Sequence, residues 1–380
     1  MNHVTLVCMR FQSVEKISRY YFLIIGLWVI CIITRLKYNG LVYGFDYGLY
    51  QPDGMFYSQT TLELLGSSKS IAIAEVLNWY KENAYKFASI DLTSFYDTTS
   101  NSWLVTKYRI LYPLISLPFV YLFGLSGMLV VPAISLLLFF LMVQKIAILE
   151  KTPRVGALIV LALSTSPTLL RWTTVNYPDA LLLSLFALFT YLFYRSNGIW
   201  SYRILVLLSV LIFLTTFTKQ TLPIWMCIAL YFFTTKKGLV GAVILLSSVT
   251  FALPSLYSFP FIQYFNSKKA GSIPGSLLDF ISNSVWVNLV EFGQLVVLDR
   301  SLLLILIGVF YCAIKSADKQ FGQVFIWTLI GCLLVNSLVG VPGVNFRYLL
   351  PVLPSAMLVV LKSNLSTALE NSLLKFKFKN

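Results

Sequence analysis

Two aspartates lie seven residues apart in residues 43–57, just after the first apolar run of the chain. Asp46 is flanked by aromatic residues, and Asp53 lies in the sequence Gln-Pro-Asp-Gly. A carboxylate can take a proton from a hydroxyl nucleophile or bind a divalent cation. Charged residues make up only 12% of the chain, so acids beside an apolar run indicate a chemical role. We expect Asp53 to be a general base and Asp46 its partner.

Both aspartates also have a structural interpretation. Gln-Pro-Asp-Gly is favourable turn chemistry, and a Gly-flanked Asp46 suits any polar loop. The aromatic residues nearby, among them Tyr57, could stack on the face of a sugar. They could equally form a belt at the level of the lipid headgroups, where Tyr is enriched. The residues of this segment leave these alternatives open.

The composition is that of a polytopic membrane protein. Of 380 residues, 58% are hydrophobic, and the mean hydropathy is +0.78, whereas soluble domains carry about 25% charged residues. Runs long enough, or nearly long enough, to span a bilayer predict about ten transmembrane helices in an all-α fold. They lie at about 20–36, 126–149, 155–172, 178–195, 202–218, 221–235, 238–258, 301–316, 322–340 and 347–362.

The distribution of basic residues predicts the topology. The run 109–125 contains two prolines and could be an eleventh span or a helix at the outer interface; the distribution of basic residues favours the interface. With a cytoplasmic N-terminus, sixteen of the 29 Lys and Arg residues then fall on the inner side, as the positive-inside rule requires. This predicts a single transmembrane domain over 1–362, long outer loops at 37–125 and 259–300, and a basic cytoplasmic tail at 363–380. The first loop is expected to carry juxtamembrane helices.

Charged residues at the outer ends of the predicted spans are candidates for substrate binding. Asp179 follows Pro178 at a helix start, where a carboxylate also suits the helix dipole. Arg109, Lys219 and Arg347 lie at outer helix ends, where orientation alone does not call for cations. Snorkelling to lipid headgroups is the alternative. We expect Lys219 and Arg347, and less directly Arg109, to bind a phosphate, which an Arg fork recognises well.

Other residue types restrict the chemistry. The five cysteines lie in apolar runs or the N-terminal tail and predict no disulfide framework. The only histidine is His3, in the N-terminal tail. This argues against a metal site or a general base built from histidine. A divalent cation would depend on the two loop aspartates. The net charge of +14 is explained by orientation and contact with membrane lipids, so we expect no nucleic-acid partner.

Five short motifs follow one another along the chain. They are Pro-Asp-Gly-x-x-Tyr ending at Tyr57, Arg109-Ile-Leu-Tyr-Pro113, Ser166-Pro167, Asn176-Tyr-Pro-Asp-Ala-Leu-Leu-Leu183 and Arg347-Tyr-Leu-Leu-Pro-Val-Leu-Pro354. Their order and spacing resemble the GT-C superfamily of integral membrane glycosyltransferases, in particular bacterial relatives of protein O-mannosyltransferases and aminoarabinose transferases. One departure is that the paired acidic motif common in that family is replaced by two separated aspartates.

The resemblance implies transfer of a sugar from a polyprenyl-phosphate donor to an extracytoplasmic acceptor, usually with inversion. The catalytic acid would lie in the first outer loop, and the protein in a cell membrane, most simply a bacterial inner membrane. Two alternatives remain. An O-antigen polymerase or ligase would rely on basic residues such as Arg347, and a lipid or solute transporter would show discontinuous helices near the bilayer midplane.

Overall fold

The computed structural model describes residues 3–38, 53–83, 108–258, 277–315, 319–339 and 346–377. These residues form α-helices and two 3₁₀ helices, with no strand among them, which confirms the predicted all-α class. The 3₁₀ helices are Gly124–Leu129 and Arg347–Val352. The α-helices are α1 (His3–Tyr38), α2 (Gly54–Leu64), α3 (Lys69–Asn83), α4 (Leu111–Phe123), α5 (Val130–Leu149), α6 (Pro153–Ser164), α7 (Pro167–Thr173), α8 (Asp179–Ser196), α9 (Tyr202–Thr218), α10 (Leu222–Thr234), α11 (Gly238–Ser258), α12 (Leu277–Leu298), α13 (Arg300–Lys315), α14 (Lys319–Val339), α15 (Leu353–Leu361) and α16 (Asn364–Lys377).

Several of the described helices are suited to a membrane. Five segments are long and apolar enough to cross one, or up to seven if two bent helix pairs each count as one span. Helices α9, α10 and α11 contain shorter apolar segments. The described residues therefore contain several helices that could span a membrane, which is consistent with a membrane protein, and the number of about ten spans stays a prediction. The five are Ser18–Leu36, Leu111–Leu149, Asp179–Ser196, Ile281–Leu298 and Lys319–Leu338.

Helix α8 lies at the centre of the packing. It contacts α5, α9 and α15, and most of its side chains are buried. Pro178 precedes its first turn, where Asp179 suits the helix dipole. Arg195 lies in its last turn, and Asn197 ends it in a left-handed conformation with φ 42°. Because α8 is apolar on most of its faces, its burial fixes Asp179 rigidly at one end of the bundle.

In the run 109–125 the chain forms a short helix, α4, and then turns back along it. Helix α4 ends at Gly124, whose φ of 61° favours glycine. The following 3₁₀ helix returns along α4, since a Cβ on Gly127 would lie 2.2 Å from the carbonyl oxygen of Phe119. The Tyr112 hydroxyl also donates to the Met128 carbonyl over 2.7 Å. Helix α4 has 13 residues and extends only about 20 Å. It is therefore too short by itself to cross the roughly 30 Å hydrocarbon core of a bilayer.

Helix α12 lies where a long outer loop was predicted. Its segment Ile281–Leu298 is a candidate span, although it contains several polar residues. The Asn288 amide donates to the Ser337 hydroxyl over 3.0 Å, and the Asn336 amide donates to Asn288 over 2.9 Å. These bonds join α12 to α14 and give Asn288 polar partners inside the protein. The predicted loop 259–300 therefore contains a packed helix in its described part.

Asp299 links the starts of two helices. One carboxylate oxygen accepts from the Ser166 hydroxyl and from the Thr168 N–H, which lies 3.1 Å away in the first turn of α7. The other accepts from the Ser301 hydroxyl and the Leu302 N–H of α13 at 2.8 and 3.0 Å. Satisfying these N–H groups explains the buried acid without a chemical role. It also holds α7, which carries Trp172, at a bend of 75° from α6.

Candidate functional site

Arg347 connects two carboxylates from distant parts of the chain. Its Nε lies 3.1 Å from Oδ2 of Asp179, and its Nη1 lies 3.4 Å from Oδ2 of Asp53. Arg347 begins a 3₁₀ helix, Asp179 begins α8, and Asp53 directly precedes α2. The side chains of Arg347 and Asp179 are 6% and 1% exposed, whereas that of Asp53 is 48% exposed. The ion pairs therefore open to the surroundings at Asp53.

Lys219 is the second cation bound to Asp179. Its Nζ donates to Oδ1 of Asp179 and lies 4.3 Å from the centre of the Tyr348 ring. Lys219 follows α9 in an extended conformation that directs the chain into α10. Burial lowers the pKa of Lys219 to about 7; Asp179 opposes this shift and Arg347 adds to it. The charge of Lys219 is therefore sensitive to pH near neutrality.

Aromatic faces surround the Arg347 guanidinium. Its carbon lies 4.2 Å from the ring centre of Tyr177, 5.0 Å from that of Trp172 and 5.7 Å from that of Tyr348. The Trp172 and Tyr177 rings are stacked, with centres 5.9 Å apart and planes within 7°. Cation–π contacts stabilise a guanidinium while leaving its N–H edges available to an anion.

Arg109 extends the positive charge on the side of Lys219. One guanidinium nitrogen donates to the Tyr57 hydroxyl over 3.1 Å, and another donates to the side-chain oxygen of Gln220. Gln220 follows Lys219 directly, so adjacent residues contact Arg109 and Asp179. Burial raises the pKa of Tyr57, and the nearby Arg109 charge opposes that shift. The Tyr57 hydroxyl is therefore neutral near pH 7 and able to donate a hydrogen bond of its own.

The charged cluster, defined as Asp53, Arg109, Asp179, Lys219 and Arg347, has unused donors. The Nη2 of Arg347 and the Nε of Arg109 are buried without a hydrogen-bond partner among the described residues. Buried N–H groups of a cation are costly to leave unsatisfied. With Lys219 protonated, three cations face two carboxylates, so the described cluster carries a net charge of +1. An anion with one negative charge would satisfy both the donors and the charge.

Tyr177 holds the backbone of Asp53 in place. The Asp53 N–H donates to the Tyr177 hydroxyl over 3.2 Å. Burial raises the pKa of Tyr177 well above its ordinary value, and the Asp53 charge adds to this shift. Tyr177 therefore remains a neutral acceptor. The same ring lies over Arg347, so one side chain contacts both the exposed acid and the central cation.

Gly54 lies against the side chain of Asn176, and an alanine there should be harmful. A Cβ at this position would be 2.1 Å from the Asn176 amide nitrogen, which donates to the Tyr80 hydroxyl. We expect Gly54→Ala to cost about 1–3 kcal/mol of stability and to lower the midpoint of thermal unfolding. Gly26→Ala is the matched control, because nothing lies within 4 Å of its added Cβ. An unchanged midpoint for Gly54→Ala would contradict this close contact.

The described donor set does not suit a divalent cation. No group of three or more His, Cys, Asp or Glu side chains within the described ranges could hold a metal ion. Asp53 and Asp179 both contact Arg347, and Asp179 also binds Lys219. Mg²⁺ and Ca²⁺ are bound through carboxylate and other oxygen ligands, and both carboxylates of this cluster are already paired with cations.

The structure brings together six of the seven residues singled out in the sequence: Asp53, Tyr57, Arg109, Asp179, Lys219 and Arg347. Asp46 lies outside the described residues. The contributions of Trp172, Tyr177, Tyr348 and Gln220 were not anticipated. A usable signal existed for three of them, since Tyr177 lies two residues before Asp179, Tyr348 follows Arg347 and Gln220 follows Lys219.

The site combines a half-exposed carboxylate with buried cations whose N–H groups are only partly used. Such an arrangement can bind an anion and accept a proton beside it. Comparisons of the chain with models of protein families, with curated proteins and with solved structures find no match.

Proposed function

We propose that the protein is a membrane glycosyltransferase that takes a sugar from a polyprenyl-phosphate donor. The observation that carries this proposal is the position of Arg347, which contacts both the exposed carboxylate of Asp53 and the buried carboxylate of Asp179. A general base then lies beside a cationic site with unused donors. Transfer from a lipid phosphate requires this combination, because a hydroxyl must lose a proton while a phosphate departs.

In the proposed reaction, Asp53 takes the proton from the acceptor hydroxyl as that oxygen attacks the anomeric carbon. The bond between that carbon and the phosphate oxygen breaks, and both of its electrons leave with the carrier phosphate. Attack from the face opposite the phosphate gives inversion. Arg347 and Lys219 stabilise the departing phosphate, and Arg109 extends the positive surface beside it.

The net charge of the cluster matches the charge of the donor and rises as the charge of the carrier phosphate becomes more negative during transfer. A donor with a phosphodiester carries one negative charge, which the net +1 of the described cluster neutralises. On transfer the carrier phosphate gains a second negative charge. At the same step Asp53 gains a proton and loses its own negative charge, so the cluster becomes +2. The match favours carriers with one phosphate over carriers with two, whose charge would exceed that of the cluster.

We also propose how the chain crosses the membrane. Helices α9, α10 and α11 and the two bent pairs would add spans to the five long apolar segments, giving about ten. The termini would be cytoplasmic, with the charged cluster at the outer face of the cell membrane. This orientation keeps most basic residues on the inner side. The same surface would be accessible to an extracytoplasmic acceptor.

A transporter is the second candidate, and the bent pairs favour it. Helices α6 and α7 are bent by 75°, and a 65° bend separates α16 from the segment Arg347–Leu361. Broken helices often line transport sites. Here, however, the first bend is stabilised by Asp299, which caps α7, and the charged cluster lies at helix starts. Uptake of labelled substrate into proteoliposomes, without carrier-phosphate release, would support the transporter.

The proposal is tested with purified protein in detergent. Polyprenyl-monophosphate sugars and their diphosphate counterparts are supplied with a mixture of acceptors, and release of the carrier is followed. Release from the monophosphate and not from the diphosphate is expected. Release from the diphosphate alone would contradict the charge matching, and release from neither would overturn the glycosyltransferase proposal.

Binding of the donor phosphate should weaken as the pH rises. Lys219 has a pKa near 7, so it loses its positive charge above that pH, beside the fixed charges of Arg347 and Arg109. We expect affinity for a polyprenyl-phosphate sugar, whose phosphodiester keeps one negative charge over this range, to fall on the order of tenfold between pH 6.5 and 8.5. Lys219→Arg should remove this dependence, because arginine stays charged. Calorimetric titration at several pH values measures it, with neutral polyprenol as control. An equal decline in both proteins would contradict the role of Lys219.

A further inference from the structure

A buried acid in α12 contacts the backbone next to Arg347. Glu291 is fully buried, and one of its carboxylate oxygens accepts the N–H of Phe346. It lies within the candidate span Ile281–Leu298. Carboxylates inside membrane segments are rare and unfavourable, and those retained usually have a specific partner. The proposed reaction does not use Glu291, and its bond to the Phe346 N–H places the carboxylate one residue away from Arg347 in the chain.

Phe346 has a backbone conformation that its surroundings must hold. Its φ is 65°, in the left-handed region that a bulky residue rarely occupies. Its N–H is bound by Glu291, and its carbonyl accepts the Leu349 N–H over 3.0 Å in the 3₁₀ helix Arg347–Val352. The Phe292 ring, next to Glu291, meets the Phe346 ring edge-on at 6.1 Å. Both the backbone and the side chain of Phe346 are thus fixed by α12.

The backbone conformation of Phe346 determines the direction in which the chain enters Arg347. Phe346 immediately precedes Arg347, whose guanidinium must reach Asp53 and Asp179 at once. A change in φ at Phe346 would rotate the following residue and withdraw the guanidinium from one of these carboxylates. We propose that Glu291 is a positioning residue, which orients Arg347 for an anionic substrate by holding the Phe346 N–H. This inference rests on the proposed function for its consequence in catalysis, and on contacts alone for the positioning.

Two substitutions at Glu291 separate positioning from charge. Glu291→Gln keeps a side-chain oxygen that can accept the Phe346 N–H, whereas Glu291→Leu has similar bulk and no acceptor. Hydrogen exchange of the peptide containing Phe346–Val352, measured by mass spectrometry on protein without substrate, reports the bond directly. We expect exchange on the order of tenfold faster in E291L and within about twofold of wild type in E291Q.

The kinetic consequence should follow the same order. In E291L the KM for the polyprenyl-phosphate donor should rise on the order of tenfold, whereas in E291Q it should stay close to the wild-type value. Equal effects of the two substitutions, or unchanged exchange in both, would overturn the positioning role. If E291L does not fold, Phe292→Ala removes the ring contact, and faster exchange of the same peptide is expected; unchanged exchange would count against the proposal. Faster exchange in E291L alone supports positioning even if wild-type protein releases no carrier, a result that would overturn only the transfer reaction.

Discussion

Replacing Asp53 with asparagine is expected to lower the rate of carrier-phosphate release by about 10²–10⁴-fold. Asparagine has nearly the same shape but cannot take up the acceptor proton. Asp53 is half-exposed and 3.4 Å from Arg347, so its ion pair contributes little to stability. The variant should therefore fold normally and, having lost one negative charge, bind the anionic donor at least as tightly as wild type does.

The control for this variant is another acid exchanged for its amide. Glu75 lies on an exposed part of α3, in the same predicted outer region, and Glu75→Gln should release carrier at the wild-type rate. Undiminished release by Asp53→Asn would remove Asp53 as the base. The role would then pass to Asp46 or Asp179, which the same assay can test one at a time.

Replacing Arg347 with alanine is expected to abolish donor binding and release together. Removing one donor to a developing anion costs about 10²–10³-fold in rate. Here the loss also removes an ion-pair partner from two carboxylates, one of them 1% exposed and left with Lys219 alone, so stability should fall as well. Thermal unfolding and donor affinity are measured alongside release, to separate these effects. Arg300→Ala, which removes an exposed arginine at the start of α13, is the control.

Arg347→Lys refines the result. A lysine keeps the positive charge but presents its three N–H groups from one nitrogen, without the planar fork that reaches Asp53 and Asp179 from separate nitrogens. We expect partial binding and a rate between those of wild type and Arg347→Ala. Full activity of Arg347→Lys would contradict a role for the guanidinium fork. Loss of activity in Arg347→Ala with full activity in Asp53→Ala would instead favour a polymerase or ligase that relies on basic residues.

The helices were predictable where apolar runs are uninterrupted. Asp179–Ser196 is one example, because its apolar residues are flanked by Pro178 on one side and Asn197 on the other. Helix α12 was not predicted, since Asn288 and Glu291 lower its hydropathy. These polar groups find partners on α14 and at Phe346. Pairing between distant segments offsets the cost of burying them, and a local reading of hydropathy cannot detect it.

The charged residues of the site were identifiable one by one, but their arrangement was not. Asp179 and Arg347 were singled out because they are charged residues at the outer ends of predicted spans. Their ion pair joins residues 168 positions apart, which depends on how α8 packs against the C-terminal helices. The aromatic contacts of Trp172 and Tyr177 arise from the same packing. Residue spacing along the chain carries no information about such contacts.

The most direct test of the proposed mechanism is carrier-phosphate release by Asp53→Asn that is saturated with donor. Donor binding is measured first by native mass spectrometry, and release is then followed in the presence of acceptor. The mechanism predicts that the variant binds the donor at least as tightly as wild type does and releases almost none of the carrier. Release at the wild-type rate from a saturated variant would contradict the assignment of Asp53 as the base beside the phosphate site.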